Sequence, residues 1–286
     1  MGPAAVEHSV QLGSERVRVR VQGQGDGPPV LFLNGLAAPL ELWDPLLQRM
    51  SDTCSIAFDT PGSGGSGAPH LPLSIGGHAR LALALVDHLG YGEVDMVGLS
   101  FGGMVAQELA HLAPRRVGRL VLASTSCGWG SVPGSPAALL AMTTPERYYS
   151  RAVFETVPAE DVSQTAVERG LVRQEPRRRA TNPPSARGFM YQFWAAAFWS
   201  SLYWLPELSQ PTLVLAGSED ELVPPSNADM LARLLPHARK HIVRGGGHLC
   251  LLEHAGKLAP MIENFLHRPG VVPGRLPPEN PRARAG

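Results

Sequence analysis

Short apolar runs and longer amphipathic stretches alternate along the first hundred residues. Residues 15–22, ERVRVRVQ, switch strictly between apolar and polar positions, which predicts a strand with one exposed face. Three later runs, VLFLNG (30–35), SIAFDTPG (55–62) and DMVGLS (95–100), are largely apolar and lead into turns that contain glycine. Continuous apolar runs of this length are typical of strands that are buried on both faces of a sheet.

Stretches with helical spacing of apolar residues separate these strands. Residues 73–90 and 102–116 predict helices that end near Gly90 and Pro114. The pattern then predicts three more strands and two more helices: strands at RLVLAST (119–125), PTLVLAG (211–217) and RKHIVRGGG (239–247), and helices at NADMLARLLPHA (227–238) and KLAPMIENFLHR (257–268). Strands that alternate with helices predict an α/β fold, with a mainly parallel central sheet and helices on both faces.

One long region interrupts this alternation. Twelve of the 18 Phe, Trp and Tyr residues lie between Trp129 and Trp204, among prolines and helix-like pieces. We interpret residues 128–205 as a helical cap inserted between two parts of the core, residues 1–127 and 206–268. Residues 269–286 are rich in Pro and Arg without an apolar period, so we predict a disordered tail there.

Length and charge narrow the possible functions. A chain of 286 residues accommodates a large α/β domain with an insertion. Its 25 basic and 25 acidic residues cancel, and the pI is about 7.2, so no net field would recruit nucleic acid or an anionic membrane. The three cysteines have no metal-ligand spacing, and we expect neither a disulfide scaffold, nor a metal site, nor an organic cofactor.

The sequence also bears on location. The N-terminal residues lack the basic and apolar pattern of a secretory signal. No stretch has the roughly 18 consecutive apolar residues that a membrane helix requires. These patterns predict a cytoplasmic protein with no membrane span.

The segment VGLSFGG (97–103) contains the motif Gly-x-Ser-x-Gly between a predicted buried strand and a predicted helix. A tight strand-to-helix turn strains the serine backbone and exposes its hydroxyl, and the two glycines permit the close approach that side chains would block. Ser100 is therefore the candidate nucleophile.

A serine needs a histidine as base, and the histidine needs a carboxylate to hold it in the correct tautomer. In this type of fold the acid and then the histidine follow in loops after later strands. Asp220 follows the strand at 211–217, and His248 follows the strand at 239–247. Glu219 and Glu221 flank Asp220 and are interpreted as solvent-facing. Five other histidines are weaker candidates because they lie inside predicted helices or strands: His78, His88, His111, His241 and His254.

Acyl transfer also requires backbone donors for the developing oxyanion. We predict that the amides of Phe101, directly after the serine, and Leu36, after the Asn-Gly turn, supply them. The aromatic stretch GFMYQFWAAAFWSSLYW (188–204) would partly pack the cap, and it would also favour burial of a lipophilic acyl chain. The predicted substrate-binding residues are Trp43, Phe193, Trp194, Phe198 and Trp199.

Taken together, these segments resemble the α/β-hydrolase superfamily. More narrowly, the chain is similar to the intracellular depolymerases of medium-chain-length polyhydroxyalkanoates. The resemblance lies in LNGLAAPLELWDPL, AFDTPGSGGSGAP, VGLSFGGMVAQELAH, TTPERYY, FWSSLYWLPELSQPTLVLAGSEDELVP and GGGHLCLL, across about residues 15–268. It implies Ser100, Asp220 and His248 as the triad, Leu36 and Phe101 as oxyanion donors, and polyesters of 3-hydroxyalkanoates as substrates.

Three alternatives stay open from the sequence. A general carboxylesterase or lipase would use the same catalytic residues with a different cap. A thioesterase or cyclase could dock an acidic acyl carrier on the basic run formed by Arg173, Arg177, Arg178 and Arg179, which otherwise fits a solvated loop or contact with a granule surface. A non-enzymatic binding module on the same fold should lack a complete triad.

Overall fold

The structure is a computed structural model that describes residues 5–25, 27–50, 52–143 and 184–267. Eight strands form one sheet in the order β1-β2-β4-β3-β5-β6-β7-β8. The strands are β1 (Val6–Leu12), β2 (Glu15–Gln22), β3 (Val30–Leu33), β4 (Ser55–Phe58), β5 (Val94–Leu99), β6 (Val117–Ala123), β7 (Thr212–Gly217) and β8 (Ala238–Val243).

The sheet is mainly parallel, as predicted. Strands β3 to β8 run parallel to their neighbours, whereas β2 pairs antiparallel with both β1 and β4. The edge strand β1 was not foreseen, because only Val10 and Leu12 of its seven residues are buried. Since most of its side chains face solvent, its sequence shows little apolar period.

Helices cover both faces of the sheet. They are α1 (Asp44–Leu47), α2 (Ile75–His88), α3 (Phe101–Leu112), α4 (Pro136–Thr143), α5 (Ala186–Ala197), α6 (Ser226–Leu234), α7 (Cys250–Glu253) and α8 (Ala255–Leu266). Buried residues of α2, α3 and α6 share one apolar cluster, and those of α1, α7 and α8 share the other. Helices packed on both faces of a mainly parallel sheet confirm the predicted α/β fold class.

Helix α2 shows how local sequence sets these boundaries. The Ser74 hydroxyl caps its N-terminus by accepting a hydrogen bond from the Gly77 amide. The chain leaves the helix at Gly90, whose φ of +79° is a left-handed conformation that glycine adopts without steric cost.

The segment between β6 and β7 contains α4 and α5. Its two ends meet at an antiparallel bridge between Gly128 and Ser200, where the Trp129 amide donates to the Trp199 carbonyl at 2.8 Å. The predicted cap limits, 128 and 205, stay predictions. Both the basic run at 173–179 and the predicted tail at 269–286 lie outside the described residues.

Within the described ranges, no helix combines the length and apolar character needed to cross a membrane. In that same part of the chain, no group of three His, Cys, Asp or Glu side chains is arranged to hold a metal ion.

Candidate active site

Ser100 lies in the sharp turn between β5 and α3. Its backbone has φ 53° and ψ −113°, a conformation that is rare for a residue with a side chain. The Ser100 amide donates to Ala123 of the neighbouring strand at 2.9 Å, and the Thr125 hydroxyl donates to the Ser100 carbonyl at 2.7 Å. These contacts fix the strained turn from the β6 side.

The two glycines of the motif are required by close backbone packing. A Cβ at Gly98 would lie 2.5 Å from the Gly102 carbonyl oxygen, and a Cβ at Gly102 would overlap the Leu33 carbonyl oxygen. The start of α3 therefore packs directly against the end of β3. The turn at Asn34, which leads to the predicted donor Leu36, begins at this contact.

Asp220 and His248 are hydrogen-bonded partners. His248 Nδ1 lies 2.9 Å from Asp220 Oδ2 and 3.1 Å from Oδ1, and the Asp220 side chain is fully buried. The amides of Leu222 and Val223 donate to Asp220 Oδ1 at 3.0 and 2.9 Å. These donors orient the carboxylate toward the imidazole, and Glu219 and Glu221 are exposed, as predicted.

All three candidate residues lie just beyond the carboxyl ends of parallel strands. Ser100 follows β5, Asp220 follows β7 and His248 follows β8, so they share one edge of the sheet. Within the described residues, the structure has no hydrogen bond between Ser100 Oγ and His248. It pairs the acid with the base and brings the serine to the same edge.

Two further ionisable groups lie in α7, directly after His248. Burial raises the pKa of the Cys250 thiol to about 12, so the thiol stays neutral at ordinary pH. Burial also raises the pKa of Glu253, although a hydrogen bond from the Gly247 amide and the nearby His248 act in the opposite direction. Neither group competes with Asp220 for His248 Nδ1 in the hydrogen bonds of the described residues.

The predicted oxyanion loop follows β3 and is held by the buried Asn34 side chain. Asn34 Nδ2 donates to the Ala38 and Phe58 carbonyls at 3.0 and 3.1 Å. The amides of Leu36 and Phe101 form no hydrogen bond to another group in the described part of the chain. Unsatisfied backbone donors beside a candidate nucleophile are what an oxyanion requires.

Trp43 has a different position from the one predicted. None of its side chain is exposed; it packs edge-on against Phe32 and donates its indole N–H to Asn34 Oδ1 at 2.6 Å. A fully buried ring cannot contact substrate, so the prediction of Trp43 as a substrate-binding residue is wrong. The ring instead helps to hold Asn34 and the predicted oxyanion loop.

Asp59, which follows β4, connects two loops near the site. Its carboxylate accepts hydrogen bonds from the Leu40 amide at 2.6 Å and from the Gly65 amide at 2.7 Å. Arg18 lies 3.4 Å from it. Burial raises the pKa of Asp59 to about 6, against the opposing effect of the two amides and of Arg18.

Three of the predicted substrate-binding aromatics line a groove of about 470 Å³ between α2, α3 and α5. Trp194 and Phe198 are exposed and stack with ring centroids 5.6 Å apart, while the Trp199 indole donates to Glu108 at 2.7 Å. Phe193 is partly buried against the apolar core and does not line the groove. Ser100 is not among the lining residues either.

Several residues that shape the site could not be identified from the sequence. Thr125, Asp59 and Gln192 act through hydrogen bonds to residues 25, 19 or 155 positions away, and no local pattern reports such contacts. Asn34 was visible only as part of an Asn-Gly turn, without its role of bridging two carbonyls and an indole.

Comparison with known proteins identifies the family to which the chain belongs. Residues 28–255 match the family model described as alpha/beta hydrolase fold. The chain belongs to the α/β-hydrolase family. This membership confirms the predicted fold and enzyme class.

Individual proteins within and around this family show how similar the chain is to hydrolases of named activity. A poly(3-hydroxyalkanoate) depolymerase of Ectopseudomonas oleovorans is 37% identical over 268 residues, covering 91% of this chain and 92% of that protein. A 2-hydroxymuconate semialdehyde hydrolase of Pseudomonas putida is 30% identical over 283 residues, covering 92% and 96%. The crystal structure of the enol-lactonase from Burkholderia xenovorans LB400 superposes with a TM-score of 0.77 at 25% identity, covering 91% and 99%. The predicted resemblance to the depolymerases is thus confirmed as a similarity between sequences.

Proposed function

We propose that this α/β hydrolase is a serine ester hydrolase that acts through an acyl-enzyme. Ser100 is the nucleophile, His248 is the general base and Asp220 orients the imidazole. The single observation that carries the proposal is the 2.9 Å contact between His248 Nδ1 and the buried Asp220, on the sheet edge where Ser100 is held in a left-handed turn. An imidazole held through Nδ1 presents Nε2 to accept a proton.

In the first half-reaction, Ser100 Oγ attacks the ester carbonyl carbon and its proton passes to His248 Nε2. The resulting tetrahedral oxyanion accepts hydrogen bonds from the Leu36 and Phe101 amides. When the intermediate collapses, the bond to the leaving oxygen breaks and His248 protonates the departing alcohol. Ser100 then carries the acyl group as an ester.

The second half-reaction uses the same groups with water. His248 Nε2 removes a proton from the water while its oxygen attacks the acyl-enzyme carbonyl. The same amides stabilise the second oxyanion, and His248 returns the proton to Ser100 Oγ as the carboxylic acid leaves. Asp220 stabilises the imidazolium that forms in each half-reaction.

The proposed substrates are polyesters of medium-chain 3-hydroxyalkanoates. The relative that is named a poly(3-hydroxyalkanoate) depolymerase, at 37% identity across nearly the whole chain, supports this choice. The groove lined by Trp194, Phe198 and Trp199 also supports it, because aromatic walls favour burial of apolar side chains at about 0.8 kcal/mol per methylene. Phe193, behind the groove, would support these rings.

Replacing the nucleophile tests the mechanism. We expect Ser100→Ala to lower kcat on p-nitrophenyl octanoate by about 10³-fold or more while the far-UV circular dichroism spectrum stays unchanged. Ser124→Ala is the matched control, because Ser124 also has a left-handed backbone (φ 45°) at the end of a neighbouring strand. A fluorophosphonate should label the wild type on Ser100, and a Ser100→Ala protein that keeps most of its activity would refute the assignment.

A substrate panel tests the specificity. Amorphous granules of a medium-chain polyhydroxyalkanoate, a triglyceride emulsion, short soluble esters and an acyl thioester should be compared at equal enzyme concentration. The proposal expects release of 3-hydroxy acids from the granules at the highest rate. Faster turnover of short esters or triglycerides would favour a general carboxylesterase or lipase, and faster turnover of the thioester would favour a thioesterase.

A further inference from the structure

Gln192 links the inserted segment to the candidate active site. It lies in α5, and only 1% of its surface is exposed. Its Oε1 accepts a hydrogen bond from the Ala37 amide at 2.9 Å. Its Nε2 lies 2.9 Å from Ser63 Oγ, and 3.1 Å from both Thr60 Oγ1 and the Pro61 carbonyl. One side chain therefore holds both the oxyanion loop and the glycine-rich loop at 57–67.

Ala37, whose amide donates to Gln192, has a strained backbone. Ala37 has a φ of 54°, in the left-handed region that residues with a side chain rarely adopt. Such a conformation persists only where surrounding contacts hold it. Leu36, the predicted oxyanion donor, directly precedes Ala37. The hydrogen bond from the Ala37 amide to Gln192 therefore fixes the peptide plane next to that donor.

Helix α5 is itself docked on the core without intervening side chains. A Cβ at Gly188 would lie 2.5 Å from the Gly62 Cα, so the two backbones touch. The Ser185 amide also donates to the Gly62 carbonyl at 2.9 Å. Gln192, about one turn after Gly188, is thus presented to Ala37 from a fixed position rather than from a loose segment.

We propose that Gln192 is a positioning residue for the oxyanion hole, and that it acts by holding the Leu36–Ala37 turn in the conformation that presents the Leu36 amide. The proposal rests on the proposed function, since it requires an oxyanion that forms on attack by Ser100. The donor matters most when charge develops on the carbonyl oxygen. Loss of Gln192 should therefore lower kcat much more than it raises KM.

The principal variant is Gln192→Leu, which keeps similar bulk and removes both kinds of hydrogen bond. We expect kcat on p-nitrophenyl octanoate to fall about 10- to 100-fold, which is at most the loss in kcat expected when a whole oxyanion donor is removed. The KM should change less than about 2-fold. Inhibition by a trifluoromethyl ketone should weaken by the same factor as kcat, because the ketone adds to the serine and leaves an anionic oxygen at the oxyanion position.

Two controls separate positioning from simple attachment of α5. Ser63→Ala removes one acceptor of Gln192 Nε2 and leaves the contact with Ala37, so kcat should stay within about 3-fold of wild type. Met190→Ala changes a partly exposed residue of the same helix, with 40% of its surface exposed, and should leave kcat unchanged.

Two further variants serve if Gln192→Leu does not fold. Gln192→Glu keeps an oxygen that can accept from the Ala37 amide and should retain more activity than the Leu variant. Ala37→Gly removes the steric cost of the left-handed turn, so adding it to either Gln192 variant should recover part of kcat.

The outcomes distinguish this inference from the proposed function. If Ser100→Ala remains active, the serine mechanism fails and Gln192 has no oxyanion to serve. If Ser100→Ala is inactive while a folded Gln192 variant keeps wild-type kcat and ketone affinity, the mechanism stands and the role of Gln192 is overturned. Equal losses in the Ser63→Ala and Gln192→Leu proteins would also overturn it.

Discussion

The Asp220 carboxylate contacts His248 Nδ1 with both of its oxygens, at 2.9 and 3.1 Å. One oxygen, Oδ1, also accepts from the Leu222 and Val223 amides, so the backbone of the turn sets the direction of the carboxylate. Because Asp220 is buried and His248 is partly exposed, the pair presents the far side of the imidazole toward the surface. This arrangement fixes both the tautomer and the orientation of the proposed base.

The first prediction concerns the charge of this carboxylate. Asp220→Asn can keep the two amide contacts, but its amide group would donate to His248 Nδ1 and move the imidazole proton to Nε2. The histidine could then no longer accept the serine proton, and kcat should fall roughly 10³- to 10⁴-fold with little change in KM. Steady-state kinetics on p-nitrophenyl octanoate measures both quantities.

The neighbouring exposed acid provides the control. Glu219→Gln removes one negative charge next to Asp220 and should keep kcat within about 2-fold. If Asp220→Asn retained wild-type kcat, another group would have to orient the imidazole. Equal losses in both variants would point to net charge rather than to the hydrogen bond.

The second prediction concerns the backbone contact at the Ser100 turn. A methyl group at Gly102 would overlap the Leu33 carbonyl oxygen and lie 2.7 Å from that of Asn34. Neither backbone group can move without shifting the loop that follows β3, the proposed oxyanion loop. Gly102→Ala should therefore cost about 3 kcal/mol or more in the free energy of unfolding and lower kcat in the folded fraction.

Gly67→Ala is the matched control, because a Cβ there meets no atom within 4 Å. It should change the free energy of unfolding by less than about 1 kcal/mol. Urea denaturation at constant pH compares the two variants. Similar stability in both would mean that the close approach between α3 and β3 is absent in solution.

The third prediction concerns the aromatic groove. Trp194 and Phe198 stack on each other and are 49% and 81% exposed, so they offer apolar surface to a long acyl chain. Since Ser100 does not line the groove, we expect the groove to hold the far part of a substrate rather than the reacting ester. Trp194→Ala should lower kcat/KM about 3- to 10-fold for an octanoate ester and less than 2-fold for an acetate ester.

Tyr203→Ala serves as the control, because Tyr203 is 87% exposed and lies outside the groove. Its ratio of octanoate to acetate rates should equal that of the wild type. If Trp194→Ala lowers both rates equally, the ring supports the fold of the site and does not select acyl length.

The sequence predicted the fold well where burial leaves a local signature. Strands such as β3 and β5 are buried along their whole length, and their continuous apolar runs follow directly from that burial. The positions of Ser100 and Asp220 could be predicted because they follow β5 and β7, which are such strands. His248 follows β8, which is mostly exposed, and its position was predicted from the chain order of acid and then histidine. In a parallel sheet, the ends of neighbouring strands lie at one edge.

The sequence failed where a role depends on contacts between distant segments. Trp43 was predicted to bind substrate, yet the structure buries it against Phe32. Conversely, Gln192 looked like one polar residue in an aromatic stretch. Its partner Ala37 is 155 positions away, so only the folded chain reveals their hydrogen bond.

The last prediction concerns the pH dependence of stability. His78 in α2 is 3% exposed and packs edge-on against Phe101, and within the described residues its Nδ1 has no hydrogen-bond partner. Burial lowers the pKa of His78 to about 4 from its ordinary value of 6.5. Between these two pH values the unfolded chain binds a proton at this position and the folded chain does not. The stability present above pH 6.5 is therefore lost as pH falls toward 4, by about 1.4 kcal/mol per pH unit at most.

His78→Leu removes this titration and should make the free energy of unfolding less sensitive to acid. The difference between variant and wild type should increase in favour of the variant by about 3 kcal/mol as pH falls from 6.5 to 4. Urea denaturation at several pH values measures it. Asp59 has the opposite effect, since its raised pKa gives stability that is lost as pH rises through about 6, but it is common to both proteins and cancels in the difference. A difference that stays constant with pH would show that His78 takes up its proton without unfolding, and hence that the ring is not sealed against Phe101.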